Sequence, residues 1–454
     1  MKTHLAALLA CAGTLLAETA IAAPELNANL RAVLQSRVDS NELASVVVGL
    51  TDGRDSVTYA FFKAGARAVD AQTIYEIGSV TKTFTGLLLA QAVKSGTVRL
   101  DQPVAQLLDD YVIPDYKGVP ITLLDLATQT SGLPRMPDNI RPAQADNPYA
   151  DYGQAELKAY LAKHAMTRQP GTRYEYSNLG TGLLGHALSR LAKKPYEALI
   201  RDNITIPLGM PSSAITLTPS MRAALVEGYM AMGDAATNWD MNVLAGSGAL
   251  RSNAHDMIRY VNAMMSAPPD SALALARRAQ RPTDGIKGEH IGLFWHISTV
   301  REKPVIWHNG MTGGYSSFVG FTGDGKTGIV ILSNTAVSLD DVAMAALVPG
   351  AEPELRQIVL APEVLADYAG EYELKPGVLL TVTPSAAGGL TMQVSGQNKV
   401  RAFAIARDVF IARSNRSTFS FKRTSAGSVD SVEGRQNGRV VSAKKRVPMT
   451  RTAD

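Results

Sequence analysis

Only one cysteine occurs in the 454 residues, at position 11. A disulfide within the chain is therefore excluded, and any core must hold by packing alone. Charge of one sign is scarce too: 19% of residues are charged and the formal net charge is +4 at pH 7. The short Lys444-Lys445-Arg446 run lacks interleaved aromatics, so a nucleic-acid partner is not indicated. The seven histidines are scattered, with no His-Glu-x-x-His or other ligand spacing, and no metal or other cofactor is expected. Gly-x-Ser-x-Gly is absent, which argues against a nucleophile elbow of the α/β-hydrolase kind.

Long apolar runs are missing except near the start. Lys2 precedes an apolar stretch from Leu5 to Leu16, and Ala20-Ile21-Ala22 supplies small residues before Ala23. This pattern predicts a signal peptide over residues 1–22, too short for a stable membrane span. The mature protein would be periplasmic or secreted and free of cysteine. Leu8-Leu9-Ala10-Cys11 also resembles a lipoprotein cleavage site. Anchoring through Cys11 is the weaker reading, because the apolar region continues beyond it.

The remainder is ordinary globular composition, 46% hydrophobic, and long enough for two or three domains or one large domain with an appendage. Leu26 to Val38 reads as a helix. The β-branched run Ser45 to Leu50 and the run Ser56 to Phe61, separated by Asp52-Gly53, read as an antiparallel hairpin. Helical patterns and long loops dominate from about 100 to 300, with a proline-rich excursion from Pro134 to Pro148. Strands return at Ser316–Phe321 and Gly328–Leu332, and a helix is predicted over Ser338–Leu347. Strands at both ends with helices between them imply an α+β sandwich whose sheet joins distant parts of the chain. Beyond Pro349–Pro362 come short runs at 370–374, 379–382, 391–394 and 409–411 with Gly, Ser and Asn between them. They predict an all-β domain, barrel or sandwich, over residues 361–454. The catalytic part would then be residues 23–350.

Three stretches carry chemistry. Ser79-Val80-Thr81-Lys82 stands where Phe84, Leu87 and Leu88 begin an amphipathic helix, so the Lys82 amine lies on the same face as the Ser79 hydroxyl. A desolvated amine can take a serine's proton, and a helix N-terminus favours developing negative charge. The same spacing at Ser442-Ala443-Lys444-Lys445 opens no apolar helix. Tyr176-Ser177-Asn178 leads into a second helix. A tyrosine beside a lysine could ionise there, stabilised by the ammonium, and act as a base. Tyr260-Val261-Asn262 repeats the spacing inside a helical pattern and reads as core. The third stretch, Trp307-His308-Asn309-Gly310-Met311, precedes a strand where glycine lets another backbone approach closely. His290-Ile291-Gly292 shows that His-x-Gly alone is a weak signal.

Taken in order, these stretches resemble the serine β-lactamase and penicillin-binding protein superfamily, in particular its class C-like branch with DD-peptidase and esterase relatives. The resemblance runs from about Ala44 to Asn334 and extends to Thr122–Pro134 and to Gly246-Ser247-Gly248. It implies a β-lactamase/transpeptidase-like antiparallel sheet with an all-helical region, and an appended small barrel beginning near Tyr368. It also implies Ser79 as nucleophile, with Lys82 and Tyr176 sharing its proton and Tyr176 as general base. Asn178, His308, Gly310 and Met311 would contact substrate, the N–H groups of Ser79 and Met311 forming an oxyanion hole. His308 stands where the family often has lysine, and a histidine is only partly charged near neutrality. The reaction implied is class C-like opening of a β-lactam, ahead of D-alanyl carboxypeptidase or endopeptidase and esterase chemistry. A slowly deacylating penicillin-binding sensor is the non-enzyme alternative. The substrate would be a small β-lactam or a peptidoglycan-derived peptide; oligomeric state is not legible.

Overall fold

A computed structural model describes residues 24–446 except 284–287, 352–355, 386–387, 415–416 and 437–438. The segment read as a signal peptide, with Cys11, lies outside the described residues. An eight-stranded antiparallel sheet organises the first part of the chain. Its order is 56–62, 45–51, 328–333, 316–322, 303–311, 296–300, 290–291 and 281–282. The expected hairpin pairs Val48 with Tyr59, and Asp52 closes its turn by accepting from the Arg54 and Asp55 N–H groups at 2.8 and 2.7 Å.

Every residue of the strand Ser45–Thr51 is buried, because layers pack on both faces of the sheet. Alternation assigns its side chains. Val46, Val48 and Leu50 join the core made with the helices Ala28–Asp39 and Asp340–Leu347, whereas Val47 faces the larger core of the helical region. The helix Thr81–Lys94 lies in that larger core, with all residues from Thr81 to Ala90 buried. Its Thr81, Lys82, Thr83 and Thr85 are buried along with its apolar residues, and Phe84 stacks on Tyr260 with ring centroids 4.1 Å apart. Tyr260 is thus core, as its pattern implied. No helix among the described residues is long and apolar enough to cross a membrane.

The last part of the chain is a closed barrel of eight strands from Gly370–Lys375 to Arg439–Lys445. Closure comes from pairing its first strand with its last, Tyr372 opposite Lys445. Ser442, the second Ser-x-x-Lys, sits on that last strand, remote from any helix start. The barrel is fastened to the rest by a buried ionic cluster. Arg413 Nη1 of the barrel donates to Glu42 Oε2 at 2.9 Å, and Arg37 pairs with Asp341 and lies 3.8 Å from Glu42. Gln357 adds a hydrogen bond to Glu42 at 2.5 Å.

Arg37, Glu42 and Arg413 are each under one-tenth exposed, so removing one charge leaves the buried cluster electrically unbalanced. Arg413→Met should therefore destabilise the fold by about 3–5 kcal/mol, visible as an earlier transition in thermal denaturation followed by near-ultraviolet circular dichroism. An unchanged melting curve would show that water already satisfies Glu42.

Candidate active site

Ser79 occupies a 3₁₀ turn, Gly78–Val80, that runs directly into the helix Thr81–Lys94. No side chain caps that helix, so its first N–H groups and dipole are directed toward the turn carrying Ser79. Lys82 is three residues on and shares the face of Ser79, its Nζ 2.9 Å from Ser79 Oγ. The amine also donates to Asn178 Oδ1 at 2.8 Å and to the Ser247 carbonyl at 2.6 Å. The Tyr176 hydroxyl approaches Ser79 Oγ from the other side, at 2.7 Å.

Local structure explains why these groups meet. Asn178 begins the helix Asn178–Ala192, whose cap is Ser177: its Oγ accepts from Gly180 N at 2.8 Å and donates to Pro134 O at 2.7 Å. The Arg135 carbonyl accepts from the N–H groups of Asn178 and Leu179. These bonds hold the loop after Pro134 against the helix start and place Arg135 over the cleft, with its guanidinium carbon 4.9 Å from the centre of the Tyr176 ring.

The strand Lys303–Met311 closes the opposite wall, and glycine makes the approach possible. A Cβ on Gly310 would collide with the Ile77 carbonyl and lie 2.9 Å from Ser79 N. Gly78, with φ of +47°, brings its own α-carbon close to the backbone of Met311 in the same way. The result is a cleft of about 270 Å³ that includes Ser79, Arg135, Tyr176, Asn309, Met311 and Asp340. A larger cavity of about 870 Å³ opens beside Ile200, Met210 and Met221, but none of the residues singled out in the sequence lines it.

Electrostatics separate the two candidate bases. Lys82 is fully buried; desolvation, and then the positive charge of Arg135, hold its pKa well below 10.5. No carboxylate pairs with it among the described residues. An uncharged amine has two N–H groups and one lone pair. In that form Asn178 Oδ1 and the Ser247 carbonyl would take the two hydrogens and the lone pair would face Ser79; as an ammonium, Nζ donates to all three. Burial pushes Tyr176 up to about 12, although the Ser79 hydrogen bond and Arg135 pull the other way. Tyr176 is thus a protonated donor at rest. The expected phenolate is corrected here for the resting site, where burial keeps the proton on Tyr176.

His308 also departs from expectation. It is 1% exposed and does not line the cleft; its Nδ1 lies 2.5 Å from the Asn309 carbonyl and its ring 5.1 Å from that of His296. Desolvation, with His296 and Lys82 adding to it, holds its pKa well below 6.5. It is uncharged at neutral pH, so the partial charge expected there is absent. The cation of the cleft is Arg135, which the sequence reading missed; an exposed arginine in an irregular loop carries no periodic signal. The Ser247 carbonyl was missed as well, being backbone. Among the described residues no cluster of three or more His, Cys, Asp or Glu could hold a metal ion.

The family described as Beta-lactamase matches residues 30–349. The D-alanyl-D-alanine-carboxypeptidase/endopeptidase AmpH of Escherichia coli K12 is 30% identical over 266 residues, 54% of this chain and 67% of that protein. Among solved structures, a class C β-lactamase from Rhodobacter sphaeroides superposes with a TM-score of 0.60 at 22% identity, over 70% of this chain and 97% of its own. The octameric penicillin-binding protein homologue from Pyrococcus abyssi gives 0.63 at 21% identity, over 91% of this chain and 99% of its own.

Gly310→Ala should push the strand off the Ser79 turn. A shift on the order of 1 Å costs about 100-fold in rate, so acylation of Ser79 by an activated ester should slow by about that factor. Stopped-flow acylation kinetics on folded variant would check this, and an unchanged rate would mean the strand yields without disturbing the turn.

Proposed function

Because this chain belongs to the Beta-lactamase family, whose match covers residues 30–349 of 454, we propose that it hydrolyses β-lactam amides through an acyl-enzyme on Ser79. It is a serine hydrolase of the β-lactamase/DD-peptidase type; the lactam substrate and the residue roles are the proposal. The observation that carries it is the convergence on Ser79 Oγ of the buried Lys82 amine at 2.9 Å and the Tyr176 phenol at 2.7 Å.

In this reading the Lys82 lone pair takes the Ser79 proton as Oγ attacks the carbonyl carbon. The N–H groups of Ser79 and Met311 receive the developing oxyanion, each such donor being worth roughly 3–4 kcal/mol. The tyrosine hydroxyl passes a proton to the departing nitrogen and is refilled from Lys82, so the two groups titrate as one unit. The reverse relay lets water attack the acyl-enzyme. Asn178 fixes the amine and lies within reach of a substrate amide. Gly310 permits the close approach, and His308 supports the strand as a neutral side chain. No cofactor enters.

Arg135 would supply the positive charge for the carboxylate that penicillins and D-alanyl peptides share. Cleavage of D-alanyl peptides is the second reading, favoured by the similarity to AmpH and by the absence of charge at His308. The apolar run from Leu5 to Leu16 supports export as part of the proposal, and a 361–454 domain fastened through Arg413 completes its organisation.

An intact-mass time course with benzylpenicillin tests the chemistry. Rapid loss of penicillin without a lasting adduct is expected, together with no adduct on Ser79→Ala. A persistent adduct would favour the peptidase or sensor reading, and full activity in Ser79→Ala would overturn all three. The same assay across pH tests the base: kcat/KM should fall on acidification as Lys82 gains a proton at its depressed pKa, because only the free amine can accept one. Lys82→Arg, permanently charged, should lose roughly 100- to 10,000-fold. Arg135→Ala should raise KM for the carboxylate substrate by about tenfold, consistent with one charge-assisted contact, while a methyl ester of the same substrate changes little. Equal effects on acid and ester would show that Arg135 acts only by packing on Tyr176.

A further inference from the structure

The C-terminal barrel is filled at one end and open at the other. Tyr368, Tyr372, Phe410 and Phe421 pack against one another with ring centroids 4.8 to 5.8 Å apart, and the Tyr372 hydroxyl donates to the Tyr368 carbonyl at 2.7 Å. That end is solid core. The opposite end holds a cup of about 710 Å³, whose wall includes Leu380, Met392, Val394, Val400, Phe419 and Val441.

Alternation identifies these as lumen positions. Leu380, Phe419 and Val441 each stand two residues before a buried core residue of the same strand: Val382, Phe421 and Ala443. Gly434 pairs with Phe419 on one side and Val441 on the other. A Cβ there would meet Val441 Cγ2 at 3.5 Å and Phe419 Cδ1 at 3.7 Å, ordinary contact distances. Packing does not demand glycine at this place; glycine keeps the cup open. A barrel selected only for stability would fill both ends, since interiors pack with few voids. An eight-stranded barrel is wide enough to hold one small ligand, and the volume falls in the range of about 300–1,000 Å³ typical of ligand sites.

Charge at the rim has one sign. Arg435 and Arg439 line the cup, and among the described residues no carboxylate does. Arg435 is 3.6 Å from Glu433, whereas Arg439, at a lumen-facing position, has no ion pair among the described residues. The remaining polar lining, Gln397, Asn398, Ser417 and Gln436, carries no charge.

We propose that this cup binds a small anionic amphiphile, with a medium-length alkyl chain in the lumen and a carboxylate head at Arg439. The apolar wall accounts for the chain, and the unpaired guanidinium accounts for the head. The site is separate from the Ser79 cleft and does not depend on which amide or ester that cleft hydrolyses.

Isothermal titration of the full chain with decanoate and with decyltrimethylammonium tests this. Decanoate should bind one to one with a dissociation constant in the range of about 1–100 μM, and the cation about tenfold or more weaker. Gly434→Phe fills the cup and should weaken decanoate by about tenfold or more; thermal melting confirms that this variant is folded. Arg439→Glu, a rim change that spares the core, should weaken decanoate to a similar extent and bring the cation level with it or ahead. No decanoate binding at about 1 mM, or binding indifferent to both substitutions, would overturn the site. Weakening by Gly434→Phe with none by Arg439→Glu would overturn the anionic head. The converse would overturn occupancy of the lumen.

Discussion

Burial of the Lys82 amine without a counter-ion is the constraint around which the cleft is built. Placing an ammonium there would cost several kcal/mol, because no carboxylate faces it to offset the lost hydration. Burial therefore drives the amine toward its uncharged form, while its hydrogen bonds hold it in place. Asn178 arrives on the start of one helix and the Ser247 carbonyl on a 3₁₀ turn of another segment, so two separate pieces of chain must dock before the lone pair is aimed. Arg135 works in the same direction. Its charge lies near enough to disfavour a second one on Lys82, yet it remains exposed to receive an anion from solvent.

How much of this was legible depended on whether a feature is local. Ser79 and Lys82 are three apart on a helix, so spacing placed that pair together, whereas Tyr176 and Asn178 were joined to it only through the family resemblance. The β-branched runs at Ser45–Leu50 and Gly328–Leu332 announced central strands for the same reason. Protonation states were not legible, because they depend on burial by residues from elsewhere in the chain. The reading gave Tyr176 a phenolate and His308 a partial charge; burial keeps the proton on the phenol and off the imidazole. In the C-terminal part, barrel and sandwich predict the same short alternating runs. What decides between them is the pairing of Tyr372 with Lys445, a contact no local pattern encodes.

The junction between barrel and sheet shares an element with the cleft. In the helix Asp340–Leu347, Asp340 accepts from Asn309 Nδ2 at 2.8 Å on the cleft side, and its neighbour Asp341 joins Arg37 in the ionic cluster that anchors Arg413. One helix start thus serves substrate wall and interdomain joint together. The barrel's seat and the floor of the cleft share one rigid piece of backbone.

The sheet order carries a consequence for timing. The strand Ser45–Thr51 has Gly328–Ser333 as its neighbour, and Gly310 must lie against Ile77 before the Ser79 turn is complete. A ribosome releases these partners hundreds of residues apart, and contacts so distant in sequence form late and slowly. A nascent chain that ends short of Met311 carries the nucleophile and its lysine but lacks the strand that closes the wall opposite them. Hydrolytic competence therefore waits for chain made long after the nucleophile, and a product cut before that strand would be inert.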